Sequence, residues 1–355
     1  MKIGVPREIK ILEGRVALTP EAVQELVKMD HQVFVEENAG LLSGYSDSDY
    51  IDAGAILVDS AKTLYDSAIL IVKVKEPQAE ELKYLRKDHI LFSFLHLVAA
   101  PELTRGLLDI GLTAVAFETV THNKQLPLLA PMSDIAGRIA VQVGTRLLHQ
   151  PEGGRGILLG GVSSASKMEI EKGQVVILGG GTAGTGAAHI ASALGANVLV
   201  FDPNRDRQMQ LESFGQNITA HFPGDEAIDK AVKEADLLIG AVLKRGARAP
   251  HLVSSEQVKS MKAGSVIIDI SVDQGGCIET TRPTTYENPT FVWEEVIHFG
   301  VTNMPGAVPR TATQALSRVL LPYVARLCKA DWQSDTALSS GINIKSGEII
   351  LTTLA

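Results

Sequence analysis

Short runs of apolar residues alternate with longer amphipathic segments through the first third of the chain. The runs lie at residues 2–6, 32–36, 69–74, 89–95 and 113–118. Apolar runs of about four to eight residues, when helical patterns separate them, are typical of parallel strands that are covered on both faces. Thr19 followed by Pro20 is typical of a helix start, because threonine caps the first N–H groups and proline fits the first helical position. The pattern predicts an α/β domain.

A second series of apolar runs begins in the middle of the chain. It comprises residues 175–178, 197–201, 236–242 and 265–270. Long amphipathic patterns at residues 133–150 and 311–330 flank this series and predict two long helices. Such helices would carry the chain out of the first domain and back to it. We therefore expect two doubly wound parallel sheets, with the second domain inserted in the first.

Composition adds mainly exclusions. Of 355 residues, 45% are hydrophobic and 21% charged, and the formal net charge of −8 provides no basic surface for nucleic acid or for an anionic membrane. The two cysteines, Cys277 and Cys328, are too few for a disulfide framework and favour a reducing compartment. The sequence has neither an apolar leader nor a run long enough to span a bilayer. We expect a cytoplasmic protein that binds neither nucleic acid nor membrane.

The segment VVILGGGTAGTGAAHI, residues 175–190, places three glycines between a buried-strand pattern and a helical one. Gly179, Gly181 and Gly184 have the G-x-G-x-x-G spacing. In this motif the first glycine allows a tight turn, the second lets the backbone approach a pyrophosphate, and the third allows close packing of helix on strand. The flanking elements make the motif more specific than its spacing alone. It predicts a Rossmann dinucleotide-binding domain over residues 131–306, inserted in a substrate-binding, catalytic domain formed by 1–130 and 307–355.

A carboxylate follows the next predicted strand. Asp202 ends the run NVLVF at about the 20-residue distance expected for the acid that binds the ribose hydroxyls. Because a carboxylate there repels a 2′-phosphate, Asp202 favours NAD over NADP. Arg205 lies nearby and is the residue that would serve a 2′-phosphate instead.

Charged and titratable residues follow the predicted strands of the first domain. Lys75 and His96 each come directly after an apolar run, and Arg15 lies between the first strand and the helix that starts at Thr19. Ligands of open parallel sheets bind beyond the carboxyl ends of the strands, so these side chains point to one crevice. Guanidinium, ammonium and imidazole suit a small carboxylate substrate with proton transfer near neutral pH. The alternative is two solvated surface charges and a hydrogen-bonded structural histidine.

Asp273 is the candidate partner from the inserted domain. The strand pattern SVIIDI ends near Asp269, and Asp273 precedes Gly275 and Gly276, which would let the chain pass close to a nicotinamide. Asp273 would then face His96 across a cleft and give a base beside an acid. The alternative is an acid that caps a turn.

With these residues identified, the sequence resembles the alanine dehydrogenases, in the family that they share with the soluble nucleotide-binding part of proton-translocating nicotinamide nucleotide transhydrogenase. The resemblance covers nearly the whole chain. Its most specific segments are GVPREIK, EGRVALTP, VKVKEP, LFSFLHLVAAPELT, LPLLAPMSDIAGR, GGGTAG, DISVDQGGCIETTRPTTYENPTF and NMPGAVPRTAT. It implies oxidative deamination of L-alanine by NAD to pyruvate, ammonium and NADH, with reductive amination in reverse.

The resemblance also assigns roles. Arg15 and Lys75 would hold the substrate carboxylate and carbonyl oxygen, His96 would be the acid/base group, and Asp273 would steer water or ammonia. The residues that would surround the cofactor, besides the glycines of the motif, are Ser133, Ala183, Asp202, Val242, Leu243, Asn303 and Met304. The family pattern implies a homohexamer, and no metal ligand is assigned.

Some positions depart from the family pattern. Asp134 replaces a usual glutamate, Lys244 and Arg245 replace a hydrophobic residue and a proline, and the loop at 160–173 and the C-terminal tail differ in length. Three alternatives stay open. A transhydrogenase subunit is disfavoured because FETVTHNKQLPLLAPMS lacks the Arg and Gln of its hydride-exchange loop. The others are a dehydrogenase of another small L-amino acid and a non-catalytic NAD-sensing protein.

Overall fold

Two separate sheets organise the chain in the computed structural model, which describes residues 1–162, 170–244 and 249–351. The first unit comprises Met1–Met132 and the chain from Gly306 onward, and the second comprises Ser133–Pro305. Each unit has its own sheet and its own buried core. The helix that leaves the first unit begins at Ala130, before the division between the units.

The first part of unit 1 alternates strands and helices. Thr19 caps the first helix, with its side chain accepting the N–H of Ala22, and Pro20 is the first helical residue, as predicted. The elements are β1 (Lys2–Val5), α1 (Pro20–Lys28), β2 (Gln32–Glu36), α2 (Asp47–Asp52), β3 (Ile56–Val58), α3 (Ala61–Ser67), β4 (Leu70–Val72), α4 (Ala79–Leu82), β5 (Ile90–Ser93), α5 (Pro101–Ile110) and β6 (Thr113–Ala116).

Unit 2 repeats this alternation. Its elements are α6 (Ala130–Leu147), β7 (Gln174–Leu178), α7 (Thr182–Ala193), β8 (Asn197–Phe201), α8 (Arg205–Glu212), β9 (Ile218–His221), α9 (Asp225–Glu234), β10 (Leu237–Gly240), α10 (Ser255–Lys259), β11 (Val266–Asp269), β12 (Thr290–Trp293) and β13 (Val296–Phe299). The chain then contributes α11 (Pro309–Leu327), α12 (Thr336–Ser340), β14 (Ile342–Lys345) and β15 (Glu348–Ile349) to unit 1. Single-turn 3-10 helices lie at Leu41–Ser43, Leu97–Ala99, Gln150–Glu152, Ile270–Gln274, Met304–Ala307 and Trp332–Ser334.

The sheet of unit 1 has the strand order β15-β14-β6-β5-β4-β1-β2-β3. Strands β1 to β6 are parallel, whereas β14 and β15 pair antiparallel at one edge. The order reverses between β1 and β4, where Ile3 pairs with Leu70. Doubly wound sheets bind ligands at such a switch point, beyond the carboxyl ends of the strands.

The sheet of unit 2 has the order β12-β13-β11-β10-β7-β8-β9 and is parallel except for β12. Its switch point lies between β7 and β10, where Val175 pairs with Leu237. The six parallel strands have the Rossmann arrangement. The predicted fold class, two doubly wound α/β sheets with the second a Rossmann domain inserted in the first, is confirmed.

The strands in the middle of each sheet are among those that the apolar runs predicted. Residues of β4, β10 and β11 are completely buried, as expected for parallel strands that are covered on both faces. The long helices begin a few residues before the predicted starts at 133 and 311. Within the described ranges, no helix is long and apolar enough to cross a membrane.

Candidate active site

The candidate residues of unit 1 lie beyond the carboxyl ends of three neighbouring strands. The backbone pairing of β4 with β5 continues past the strand ends, since Lys73 N–H donates to Phe92 O and Phe94 N–H to Val74 O, both at 3.1 Å. This pairing brings the segments that carry Lys75 and His96 alongside each other. The structure therefore places both residues at the edge where ligands of such sheets bind.

Arg15 is buried, with 2% of its surface exposed, and it forms a two-pronged ion pair with Glu13. Its Nε and Nη2 groups donate to Glu13 Oε1 and Oε2 at 2.6 and 2.5 Å, and Nη1 lies 3.2 Å from Met132 Sδ. The carboxylate of Glu13 thus takes the Nε–Nη2 edge of the guanidinium. This ion pair fixes the orientation of the guanidinium within the loop after β1.

Lys75 is fixed at its backbone by a carboxylate from the loop after β1. Glu8 Oε1 accepts the N–H of Val74 at 2.5 Å and that of Lys75 at 3.3 Å. Lys75 is 8% exposed. Two glutamates of the loop after β1 thus hold the two candidate residues, Glu8 at the backbone of Lys75 and Glu13 at the side chain of Arg15.

A buried lysine lies beneath this edge. Lys73 Nζ is 3.3 Å from Glu8 Oε2 and 3.0 Å from Glu81 Oε2, and the hydroxyl of Tyr65 donates to Glu81 Oε1 at 2.8 Å. Burial disfavours the Lys73 cation, but the two carboxylates outweigh this effect and its pKa lies above the usual value. Burial raises the pKa of Glu8, and the attraction of Lys73 offsets the rise only in part. We refer to Glu8, Lys73 and Glu81 as the buried triad.

Sequence reasoning missed the buried triad and Glu13. The sequence contained one indication of a buried ion pair. Lys73 lies in the apolar run at 69–74, and a charge that is buried with such a run needs a partner of opposite charge. The identity of the partners could not be read, since Glu8 lies 65 residues away along the chain.

His96 lies between β5 and a 3-10 helix, and its side chain is exposed. Its φ of 49° and ψ of 38° are left-handed, a conformation that few non-glycine residues adopt and that clusters at functional sites. The imidazole ring stacks on the Phe94 ring with the centroids 5.9 Å apart and the planes 8° from parallel. The His96 side chain is therefore exposed beyond the end of β5 and is not packed in the interior.

In unit 2 the three glycines of the motif form the turn between β7 and α7. Gly179 has a φ of 98°, and a Cβ there would lie 2.6 Å from Ala241 O. A Cβ on Gly184 would lie 1.8 Å from Gly179 O, so only glycine lets α7 pack this closely on the β7 turn. Around Gly181, in contrast, a Cβ would meet nothing within 4 Å. The loop is thus tightly packed at Gly179 and Gly184 and open at Gly181, at the N-terminus of α7, the kind of position at which dinucleotide-binding motifs receive a pyrophosphate.

Asp202, at the end of β8, is 3% exposed and holds the glycine loop. Its Oδ2 accepts the Gly180 N–H at 2.8 Å and lies 3.1 Å from Arg207 Nη1, and its Oδ1 accepts the Asn204 N–H at 2.9 Å. Arg205, which the sequence suggested as the neighbouring cation, bonds Gln208 instead. The cation beside Asp202 is Arg207.

Two of the other predicted cofactor residues follow β10. Val242 is half-buried and exchanges two hydrogen bonds with Ser271, whose hydroxyl accepts its N–H at 3.0 Å and donates to its carbonyl at 2.8 Å. Leu243 is 50% exposed. Both lie beside the switch point of the sheet. The residue before them, Ala241, adjoins the loop after β7, since a Cβ on Gly179 would lie 2.6 Å from Ala241 O.

The remaining predicted cofactor residues are dispersed along unit 2. Ser133 lies in the first turn of α6, and α6 touches the first turn of α7, where a Cβ on Gly137 would be 1.9 Å from Ala183 O. Asn303 is left-handed with a φ of 61°, and Met304 is buried with its carbonyl accepting the Tyr286 hydroxyl at 2.9 Å.

Asp273 lies in the 3-10 helix after β11, and its side chain is exposed. The loop around it is organised by the buried Asp269, which accepts the N–H groups of Ser271 and Cys277, both at 2.9 Å. Burial raises the pKa of Asp269, although these hydrogen bonds oppose the rise. Gly276, with a φ of 76°, could not carry a Cβ, because it would lie 2.9 Å from Asp269 Oδ2.

The sequence departures fall partly outside the described residues. Lys244 is exposed at the end of a described segment. Arg245, residues 163–169 of the 160–173 loop and residues 352–355 of the tail lie outside the described ranges.

Comparison with known families agrees with the geometry in both units. The family "Alanine dehydrogenase/PNT, N-terminal domain" matches residues 4–136, and "Alanine dehydrogenase/PNT, C-terminal domain" matches residues 140–352. A protein named alanine dehydrogenase from Bacillus subtilis is 48% identical over 361 residues, which cover 100% of this chain and 94% of that protein.

Solved structures give the same result. An L-alanine dehydrogenase superposes with a TM-score of 0.94 and 50% identity, covering 100% of this chain and 98% of that one. A transhydrogenase from Sinorhizobium meliloti superposes with a TM-score of 0.84 at 24% identity, with 99% of each chain covered, which demonstrates a common fold only.

Proposed function

We propose that this chain, which belongs to the alanine dehydrogenase/PNT family, catalyses the reversible NAD-dependent oxidative deamination of L-alanine to pyruvate and ammonium. The observation that carries the proposal is the full-length similarity to alanine dehydrogenases in both sequence and structure. The reaction converts L-alanine, NAD⁺ and water into pyruvate, ammonium, NADH and one proton. Unit 1 supplies the groups for substrate binding and proton transfer, and unit 2 those for the dinucleotide.

Arg15 and Lys75 bind the substrate in this proposal. Glu13 fixes the orientation of the Arg15 guanidinium, a group that recognises carboxylates through paired N–H donors. The Lys75 ammonium polarises the oxygen that becomes the pyruvate carbonyl. Because Glu8 fixes the Lys75 backbone, little ordering is required when substrate binds.

His96 moves the protons. In the oxidative direction it accepts a proton from the attacking water, gives that proton to the leaving amine and then accepts the proton of the carbinolamine hydroxyl as the carbonyl forms, and in reverse it protonates that carbonyl oxygen. An imidazole suits these steps because it can both accept and donate a proton. Its exposed ring is accessible to a substrate, as this role requires. Asp273 of unit 2 steers water or ammonia by its carboxylate charge.

The fit of unit 2 to a dinucleotide rests on the open space at Gly181 within an otherwise tight loop. Gly179, Gly181, Ala183 and Gly184 would receive the pyrophosphate at the start of α7. The nicotinamide supplies hydride transfer when bound. Ser133, Val242, Leu243, Asn303 and Met304 complete the proposed cofactor contacts.

We assign NAD rather than NADP on the basis of Asp202. Its carboxylate can accept hydrogen bonds from the ribose hydroxyls while it holds Gly180, and it repels a 2′-phosphate. Arg207 partly neutralises this charge, so the preference depends on the two residues together. The proposal also includes a homohexamer in the cytoplasm. Analytical ultracentrifugation would test the assembly.

The decisive experiment is an assay of the purified protein with L-alanine and NAD at about pH 9 to 10, where free amine is available. We expect NADH to form, and L-alanine to give the highest kcat/KM in a panel of small L-amino acids. The proposal fails if no NADH forms but hydride is exchanged between NADH and an NAD analogue. At the residue level, His96→Ala should lower kcat by roughly two to four orders of magnitude while NADH binding is retained.

A further inference from the structure

The backbone of His96 is left-handed, and an imidazole does not stabilise this conformation by the local hydrogen bonds that the short side chains of Asn and Asp can form. Residues other than glycine avoid this region, and tertiary contacts must stabilise it where it persists. The N–H groups of Leu95 and His96 point in this turn toward one acceptor. Leu95 is completely buried, so its N–H has no access to bulk water and must be satisfied within the protein.

That acceptor is the carboxylate of Glu118. Its Oε1 accepts the His96 N–H at 2.7 Å and the Leu95 N–H at 3.2 Å, and its Oε2 lies 3.3 Å from the Leu95 nitrogen. Glu118 follows β6, the neighbour of β5, and the Phe117 N–H donates to Ser93 O at 2.9 Å just before it. The carboxylate is therefore carried to the turn by continued strand pairing.

Contacts from both sides restrict the imidazole. The Glu118 carboxylate fixes the backbone dihedrals of His96, and the Phe94 ring supports one face of the imidazole. A carboxylate accepts two N–H groups in a charge-assisted manner, which is about twice as strong as a neutral contact. Without it, the turn would lose the acceptor for a buried N–H and would relax toward the extended conformation that ordinary residues prefer.

We propose that Glu118 is a positioning residue for the reaction, which fixes His96 in its left-handed turn so that the imidazole is aimed at the substrate. Glu118 contacts neither substrate nor cofactor in this assignment and acts only through His96. The inference rests on the proposed function, because it assumes that His96 transfers protons.

The test is a double-mutant cycle on the full-length enzyme, with Glu118→Ala, Glu118→Gln, His96→Ala and the double variant His96→Ala/Glu118→Ala. Displacement of a reacting group by ~1 Å costs roughly 10²-fold in rate. We expect Glu118→Ala to lower kcat by about that factor, with KM for L-alanine and Kd for NADH changed less than about threefold. Glu118→Gln keeps one oxygen acceptor but loses the charge, so its kcat should lie clearly below that of the wild type and above that of Glu118→Ala.

Asp335→Ala is the matched control. Asp335 also accepts two backbone N–H groups in unit 1, from Ala337 and Leu338, but at the start of α12. It should lower the melting temperature without lowering kcat. If Glu118 acts only through His96, the double variant should have the residual kcat of His96→Ala within about twofold.

The results separate two failures. If His96→Ala is inactive while Glu118→Ala has wild-type kcat, or if the two losses multiply in the double variant, the positioning role is refuted. If His96→Ala itself turns over like the wild type, it is the proton-transfer role of His96 that is wrong. Should Glu118→Ala not fold, the kcat of Glu118→Gln decides, and a wild-type KM with reduced kcat supports the proposal while an unchanged kcat refutes it.

Discussion

Replacing Lys73 by methionine tests whether the buried triad stabilises unit 1. The side chains of Lys73, Glu8 and Glu81 are 0%, 2% and 3% exposed, so removal of the cation leaves two carboxylates in the interior without their counter-charge. Breaking a buried ion pair from one side costs about 3–5 kcal/mol. Methionine retains the apolar volume of the lysine stem, so the decrease in the free energy of unfolding measures mainly the removal of the positive charge. We expect the free energy of unfolding to fall by that amount near pH 7.

The assay is urea unfolding followed by tryptophan fluorescence. Trp332 lies buried in unit 1 and Trp293 lies in unit 2, so a Trp293→Phe background restricts the signal to the unit that contains the triad. Lys28→Met is the matched control, because Lys28 pairs with Glu25 on the surface, where such pairs contribute about 0–1 kcal/mol. A loss for Lys73→Met no larger than that for Lys28→Met would refute the reasoning.

The pH dependence provides a second check on the triad. The pKa of Lys73 is raised on folding, so its stabilising contribution is complete below its ordinary pKa of 10.5 and is lost only as the pH rises through the higher folded value. The pKa of Glu8 is also raised, so its stability contribution declines as the pH rises from 4.5 through its folded value. Without the attraction of Lys73, the pKa of Glu8 should rise further. The deficit of Lys73→Met should therefore shrink from about pH 7.5 to about pH 5, and a deficit that grows on acidification would contradict this.

Three further substitutions test unit 2 and the substrate site. Gly181→Ala should leave the melting temperature unchanged but weaken NADH binding, whereas Gly184→Ala should lower the melting temperature, since its Cβ would meet Gly179 O; equal stability of the two would contradict the packing argument. Asp202→Gly should raise the ratio of NADPH to NADH kcat/KM at least about tenfold, and an unchanged ratio would remove Asp202 from cofactor selection. Arg15→Lys should raise KM for L-alanine with NADH affinity retained, because an ammonium cannot bind Glu13 and a substrate carboxylate with paired N–H groups; a wild-type KM would exclude Arg15 from substrate binding.

The apolar runs predicted nine of the described strands, and they missed β3, β9 and β12 to β15. A continuous apolar run identifies a strand that is covered on both faces, such as β4 or β10. Strands β3 and β9, at the sheet edges, have only three or four residues and exposed positions, so they provide no such run. The apolar pattern also extended β4 to Val74, because Lys73 and Val74 continue the backbone pairing after the strand has ended.

The sequence predicted which residues would lie at the strand ends, but not what would hold them there. Lys75 and His96 stand out because a charge or an imidazole directly after an apolar run is unusual, and Arg15 stands out because it lies between the first strand and the helix that starts at Thr19. Glu13 and Glu118 look like surface carboxylates in the sequence. The hydrogen bonds of Glu118 to Leu95 and His96 depend on strand order, which local patterns do not encode. Glu13 bonds Arg15 only two residues away, but nothing in the local pattern distinguishes this pair from two solvated charges.

A common arrangement holds the loops that carry candidate residues in both units. In each case a side chain that follows one strand accepts the backbone N–H of the loop after the adjacent strand. Glu8 after β1 holds the loop after β4, Glu118 after β6 holds the loop after β5, Asp202 after β8 holds the loop after β7, and Ser271 after β11 holds the loop after β10. Parallel strands end at the same edge, so a short polar side chain there reaches its neighbour without a long connection. When such a residue is removed, two effects therefore contribute to the loss of function: the loss of any direct contact with ligand, and the displacement of the neighbouring loop. For Asp202 this predicts that weaker NADH binding accompanies the change in cofactor preference, because Gly180 loses its acceptor in the same substitution.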